Sequence, residues 1–422
     1  MHSDACEVDY AVFVGFDWGS EKHSIALQVA GSSKIEMYTL KQTPEELHGW
    51  LLKLLDKFAG RPVAVAIEQT KGAVIHALLG YEFVHVFRIN PQSLASYRKA
   101  FSPGGAKDDP TDAEYLLEWV KLHRDRIKPW VPDDAQTRAL QKLVEFRREI
   151  VNQRVAFTNQ LIQVLREYFP QALDWGGEID RVMVLDFLSK WPTLEKVKKA
   201  RLDTIRTFYR RHGCRSSERI EERLRAISTA KALTKDPAVI ATSVCTVQTI
   251  VRVLYPILES IARLDEEIER RFKAHPDREI FDSLPGAGPV LAPRLLAAMG
   301  SDRNRFGSSA EVQQYSGIAP VTDRSGKHVW IHRRFACSKF LRQTFHEFSG
   351  QSIKFCVWAR GYYDMKRASG MEHHAAIRAL AYKWIRIIFR CWQDRARYDE
   401  RVYLGSLHKK GSAVVAFMEQ AA

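Results

Sequence analysis

Along the first ninety residues, apolar and polar positions change period several times. Residues 11–17 (AVFVGFD) form an apolar run rich in Val and Phe. Residues 22–29 (KHSIALQV) alternate, and residues 34–39 follow after Gly31-Ser32-Ser33. Three neighbouring strands joined by short turns read as a meander. The polar, amphipathic stretch 43–58 predicts a helix. Residues 63–67 (VAVAI) read as a buried strand covered on both faces. Residues 71–80 predict a helix, 83–88 (FVHVFR) another strand, and a further helix follows.

From Gln136 the period becomes that of long helices. Leu143, Ile150, Phe157 and Val164 recur every seven residues, with Leu140, Leu161 and Tyr168 in the offset row. This is a heptad seam, ended by Pro170 and interrupted by Arg147 and Arg154. Ile250, Leu254, Ile257, Ile261, Leu264 and Ile268 form a second series stepping by four and three, with Pro256 expected to kink or start that helix. The two helices can pair within one chain or between chains. The expected class is therefore α/β plus all-α. An N-terminal domain (1–130) has the element order of a ribonuclease-H-like fold. A helical coiled-coil region (131–275) with an insert at 171–235 follows, then a mainly helical C-terminal domain (276–422).

Charge narrows the function. The chain has 422 residues, with 64 basic against 50 acidic, a net charge of +14. That favours a polyanionic partner, nucleic acid or an anionic membrane. No run of about 18 apolar residues occurs, so no membrane span is expected. The polar start carries no signal-peptide pattern. Six scattered cysteines lack CxxC spacing, which argues against a zinc site or disulfide framework and fits a reducing cytoplasm.

Several acids fall where an α/β sheet presents them. Asp17 closes the first strand, Glu68 closes the central one, and Asp108, Asp109 and Asp112 open the helix after the last. Carboxylate oxygens suit magnesium, and two such ions can activate a nucleophile and stabilise a leaving oxygen in phosphoryl transfer. The plainer readings are a turn at Asp17 before Gly19, and an N-cap at Asp109 with Pro110 at N1 and Asp112 at N3. Glu68 after five apolar residues is harder to explain without a role. FDWGSEKHSIAL also resembles a phosphate loop of actin-like ATPases. That fold needs further Gly-rich loops, and neither Gly104-Gly105 nor Gly176-Gly177 sits between suitable strands.

The insert is dense in positive charge: Lys196, Lys198, Lys199, Arg201, Arg206, Arg210, Arg211 and Arg215, mixed with Phe208, Tyr209 and His212. Basic residues neutralise phosphates and aromatic rings can stack on bases, so nucleic-acid contact is expected there. A solvated helix face is the plain alternative. The run LPGAGPVLAPRLLAAM (284–299) resembles a helix-hairpin-helix turn, in which Gly286 and Gly288 let the backbone approach phosphate. The alternative is a tight turn starting a core helix. Further on, Ser325 precedes Gly326 in a loop flanked by Arg324, Lys327 and His328, with Arg333, Arg334, Lys339 and Arg342 following. A serine there can attack a phosphodiester only if a base or metal assists its deprotonation. A Ser-Gly pair is also the ordinary composition of a turn.

Taken together, FDWGSEKH, AIEQT, AKDDPTDAEYL, the PGAGPVLA and GIAPVTDRSGK block, and HHAAIRALAYKWIRIIFRCW resemble the DEDD-type insertion-sequence transposases of the IS one-ten family, the bridge-RNA-guided recombinases. The resemblance runs from about Val12 to about Trp392. It implies a RuvC-like domain whose four carboxylates, here Asp17, Glu68, Asp109 and Asp112, bind two magnesium ions. Lys107 to Ala113 fit the family pattern Lys-x-Asp-x-x-Asp-Ala, with Asp108 an extra acid. It implies a serine, here Ser325, that forms a covalent 5′-phosphoserine with DNA. A Gly-Asn pair usual before Leu-Arg is absent, the stretch here being Cys337-Ser338-Lys339-Phe340-Leu341-Arg342.

The partners implied are donor and target DNA, a structured guide RNA and further copies of the chain, dimer to tetramer, in the bacterial cytoplasm. Two rival functions stay open. One is a hydrolytic RuvC-like junction resolvase using water in place of serine. The other is a non-enzymatic RNA-binding protein.

Overall fold

The computed structural model describes residues 8–68, 72–101, 108–326 and 328–421. It divides into two units, 1–132 and 133–422. The first is a mixed α/β sheet domain and the second is mostly helical, which agrees with the expected order of classes.

The first unit is built on β1 (Val12–Asp17), β2 (Lys22–Val29), β3 (Ile35–Lys41), β4 (Val63–Ile67) and β5 (Val84–Arg88). The sheet order is β3-β2-β1-β4-β5. The first three strands are antiparallel, while β1, β4 and β5 run parallel. The helices are α1 (Pro44–Lys57), α2 (Ala73–Leu78), α3 (Pro91–Phe101) and α4 (Asp109–His123). Thr43 caps α1 by accepting from the Glu46 amide.

The two faces of the sheet differ in bulk. Val12, Val14, Phe16, Val63, Val65 and Ile67 pack with Leu47, Trp50, Leu51 and Leu54 of α1. The opposite face offers Gly15, Ala26, Ala64 and Ala66, and receives Ala113, Leu116, Leu117 and Val120 of α4. This flat face lets α4 approach very closely. A Cβ at position 15 would stand 1.9 Å from the Ala113 carbonyl oxygen and 2.5 Å from the Leu117 nitrogen.

In the second unit, α5 (Ala135–Tyr168) pairs antiparallel with α11 (Pro237–Lys273). This is the intramolecular alternative for the two apolar series. Their rows are joined by Arg147, which donates to both oxygens of Asp265. Arg154 likewise meets Asp180 at 3.4 Å. Arg147 is thus met by hydrogen bonds, and Arg154 by an ion-pair neighbour, although its buried Nε makes no hydrogen bond. Pro256 lies inside α11 and does not start it. The lost backbone hydrogen bond is outweighed by packing against α5 on both sides of the proline. Among the described helices, α11 is long and apolar enough to cross a bilayer. Here Val247, Ile250, Val251 and Leu254 of its apolar face are buried against α5 and the insert.

The insert forms five short helices, α6 (Ala172–Trp175), α7 (Val182–Lys190), α8 (Leu194–Lys199), α9 (Leu202–Arg211) and α10 (Ser217–Thr229). They close over an aromatic core of Trp175, Phe187, Trp191, Phe208 and Tyr209. This corrects the stacking expectation. Phe208 is 7% exposed and Tyr209 1%, so neither ring is available to a base.

The rest of the chain gives α12 (Arg278–Asp282), α13 (Gly288–Met299), α14 (Ser309–Tyr315), α15 (Lys339–Ser352), α16 (Val357–Ala368), α17 (His373–Gln393), α18 (Glu400–Lys409) and α19 (Ala413–Ala421). Their core centres on Phe345, Phe348, Trp358, Trp384 and Trp392. A two-stranded hairpin, β6 (Val321–Ser325) and β7 (His328–His332), projects from these helices with every described β7 residue exposed. The sequence around Ser325 reads as a loop, and the structure makes it a strand pair.

Gly15→Ala is expected to destabilise the first unit by about 3 kcal/mol or more, because the obstructing atoms are backbone and cannot rotate away. Gly49→Ala, in α1 with no atom near the added carbon, is expected to gain about 0.5–1 kcal/mol. Urea denaturation of both variants tests the pair; equal effects would refute the close seating of α4.

Candidate active site

Asp17, Glu68 and the first turn of α4 lie towards one end of the sheet. Strand β1 pairs in parallel with β4 up to Phe16 opposite Ile67. Asp17 and Glu68 are the next residues of that register, at the carboxyl ends of adjacent strands about 4.8 Å apart. Asp17 continues the row of Phe13 and Gly15, the row that faces α4. In the alternation of β4, position 68 continues the row of Ala64 and Ala66, which also faces α4.

The direction of α4 follows from two contacts. Arg124, just past its end, lies over the Phe13 ring at 5.4 Å. Ala113 and Leu117 lie over Gly15. Moving along β1 from Phe13 towards Asp17 therefore moves towards the start of α4. That first turn carries Asp109 and Asp112. The positive end of the helix dipole favours carboxylates at this place.

The two helical acids differ in state. Asp109 is exposed and Asp112 is fully buried. Asp112 accepts from Arg98 Nε at 2.6 Å and Nη2 at 2.7 Å, so both of its oxygens are engaged. The N-cap is Asp108, in extended conformation, and not Asp109. This one-residue correction leaves Asp109 at the first helical position, where no capping bond claims its side chain. Asp108 instead accepts from the Thr111 hydroxyl at 3.3 Å. Arg98 was missed in the sequence because nothing in the spacing marks a partner fourteen residues away on another helix. Gln69, Thr70 and Lys107, part of the motifs read above, lie outside the described residues.

The donor set is chemically suited to a hard divalent ion: four carboxylates, no sulfur or imidazole, at the positive end of a helix. Among the described residues, no three such groups stand in ligating arrangement. Arg98 takes one lone pair on each Asp112 oxygen, which leaves the others able to meet a cation.

Ser325 belongs to the second unit. It ends β6, pairs in register with His328, and is exposed. The alternation puts Asp323, Ser325, His328, Trp330 and His332 on one hairpin face. There Asp323 holds His332 at 2.6 Å, and this hydrogen bond raises the His332 imidazole above its ordinary range. The His328 ring stacks on Trp330. Arg324 and Arg333 are exposed, while Arg334 and Arg342 are half-buried. Arg342 donates to Cys337 Sγ at 3.4 Å. Lys327 lies outside the described residues. The hairpin signal was present in the sequence: β-branched residues in VTDRS and HVWIH flank a two-residue Gly-containing turn.

The glycines of the LPGAG turn have separate reasons. Gly286 has a φ of +80°, and a Cβ there would meet Phe355 at 2.8 Å. Gly288 has a φ of +54° with open space beside it, at the exposed start of α13. In the insert, Lys196, Lys198, Lys199, Arg210 and Arg211 are exposed. Lys199 pairs with Glu195 at 2.5 Å, Lys198 donates to the Ala230 carbonyl at 2.9 Å, and Arg206 is held by Asp203 and Glu221.

Comparison with known proteins gives the class. Residues 14–170 match a transposase family model, the DEDD transposase of IS110, and residues 278–364 match the transposase family IS116/IS110/IS902. A putative mini-circle transposase for IS117 from Streptomyces coelicolor is 29% identical over 94% of this chain and 97% of its own length. The IS116 uncharacterized 44.8 kDa protein of Streptomyces clavuligerus is 23% identical over 91% of this chain and 95% of its own. The IS900 uncharacterized 42 kDa protein of Mycobacterium paratuberculosis is 26% identical over 80% and 85%. The molecule is a DNA transposase, an enzyme of insertion-sequence movement. It belongs to the IS110/IS116 family.

Asp112→Asn is expected to cost about 3 kcal/mol, because it strands the half-buried Arg98 charge. Asp109→Asn is expected to change stability by less than about 0.5 kcal/mol. Denaturant titration of the two variants checks this, and equal losses would contradict the assigned states of the two acids.

Proposed function

We propose that this transposase cleaves and exchanges DNA strands through Ser325, assisted by two magnesium ions held by Asp17, Glu68, Asp109 and Asp112. The observation that carries the reading is the placement of Asp17 and Glu68 on adjacent parallel strand ends, facing the acidic first turn of α4. The strand order β3-β2-β1-β4-β5 supports a RuvC-like, ribonuclease-H-like first domain. Magnesium would supply charge neutralisation at the scissile phosphate and ease deprotonation of the attacking hydroxyl.

The protein's own groups do the rest. Ser325 Oγ bonds to phosphorus as the bond from phosphorus to the 3′-oxygen breaks, leaving a 5′-phosphoserine and a 3′-hydroxyl. The 3′-hydroxyl of a second strand then displaces the serine. Arg324, Lys327, Arg333, Arg334 and Arg342 hold the DNA backbone beside the hairpin. Lys196, Lys198, Lys199, Arg206, Arg210 and Arg211 of the insert, and the turn at Gly286 and Gly288, contact further phosphates. Since the insert rings are buried, this contact is to backbone and not to bases. A guide RNA from the element pairs with donor and target, so base pairing reads sequence while the basic protein reads backbone and shape. The working form is a homo-oligomer, dimer to tetramer.

Incubation with end-labelled DNA and Mg²⁺ is expected to give a denaturation-resistant protein–DNA adduct. Ser325→Ala should abolish the adduct and Glu68→Gln should abolish cleavage. An adduct that survives Ser325→Ala overturns the nucleophile, and cleavage without an adduct favours the hydrolytic resolvase. Sequencing of co-purified RNA should return one discrete species from the element's flank; random cellular RNA would contradict guidance.

A further inference from the structure

Helices α16 and α17 bring two lysines over one ring, with an arginine beside one of them, at residues to which no role is given above. Tyr362 and Lys366 lie one turn apart on α16. Lys383 and Arg386 lie one turn apart on α17. The Lys366 ammonium stands 5.6 Å from the Tyr362 ring centroid and the Lys383 ammonium 4.7 Å from it. The ring is 8% exposed, so it orients both lysines by cation–π attraction but offers no face to a base.

Among the described residues, no acid pairs with the cluster. Asp364, the acid closest in sequence on α16, faces Arg360 at 4.0 Å. Among the described residues, neither lysine nor Arg386 is in an ion pair. Burial, then Arg386, then Lys366 hold the Lys383 ammonium below the usual lysine range. The last two effects are repulsion from neighbouring cations, and the first is desolvation. Both lysines are half-buried and Arg386 is exposed, so the charges are fixed at the surface and reachable.

We propose that Lys366 and Lys383, set on the Tyr362 ring, and Arg386 one turn from Lys383 on α17 form a site for the phosphodiester backbone of a nucleic acid. Lysine binds phosphate as a point charge, and arginine adds a forked donor. Two helices presenting cations one turn apart suit consecutive phosphates better than a single small anion. The site is assigned to backbone phosphates alone; Tyr382 of α17, exposed and one turn from Arg386, is given no role in it. It rests on the reading of the chain as a nucleic-acid enzyme, but not on the serine or metal chemistry.

The test uses the full-length protein without metal, Ser325 intact. Fluorescence anisotropy measures binding of a labelled random DNA duplex of about 30 base pairs, and of an unstructured RNA of about 30 nucleotides, across a salt series. The slope of log K against log salt should fall in magnitude by about 1 for Lys383→Gln, and by about 2 for the double variant with Lys366→Gln. The probe that changes identifies the nucleic acid. Lys383→Arg should keep the wild-type slope. If Lys383→Gln does not fold, Lys366→Gln alone should lower the slope by about 1. Unchanged slopes on both probes overturn the proposal, as does a loss confined to phosphatidylserine vesicles. An intact Ser325 adduct in these variants would leave the catalytic reading standing even if the site fails.

Discussion

Helix α4 can lie against the sheet only because position 15 of β1 carries no side chain. The Ala113 carbonyl and the Leu117 amide occupy the space that a methyl group would need. Ala26, Ala64 and Ala66 extend the same shallow floor on the neighbouring strands. The opposite face is lined with Val, Ile and Phe, and there α1 is held away by bulky side chains. This asymmetry places the acidic first turn of α4 at the strand ends that carry Asp17 and Glu68. Without the close approach, that first turn would stand farther from the two strand ends.

The same closeness creates an electrostatic demand. Burying Asp112 beneath a helix is costly unless its charge is met, and Arg98 meets it with two hydrogen bonds. The pair steadies the buried charge with one hydrogen bond to each carboxylate oxygen. In the second unit the pattern differs. Two separate cores, one at the insert and one among α13 to α17, are spanned by the α5–α11 pair. Charged side chains on that pair are matched by partners such as Asp265. The hairpin carrying Ser325 stands out from its core, with polar and aromatic groups exposed on one face.

Much of this was legible in the sequence. The apolar runs at 11–17 and 63–67 announced strands, and the element order announced the first domain. The acids at 17, 68, 109 and 112 were visible because each closes or opens an element. Other features were hidden or misread. Phe208 and Tyr209 looked like base-stacking rings amid arginines. Their spacing from Ile205 by three and four residues is the signature of a buried helical face, with Arg206, Arg210 and Arg211 on the other. The hairpin is easy to miss because its strands are short and the Ser-Gly pair reads as a loop, although VTDRS and HVWIH carry β-branched residues. Arg98 and the cluster on Tyr362 depend on which helices pack together, and tertiary contact of that kind leaves no local pattern. The cap of α4 fell one residue early, within the ordinary uncertainty of helix ends.

The central claim is that α4 unites these four acids into one divalent-ion site, and it can be tested apart from catalysis. Thermal unfolding of the wild type with added Mg²⁺ or Mn²⁺ should show a saturable rise in melting temperature, as a ligand of the folded state must give. That rise should vanish in Asp17→Asn, Glu68→Gln and Asp109→Asn alike, because each removes a donor from a shared site. The same rise in all three variants as in the wild type would contradict the account.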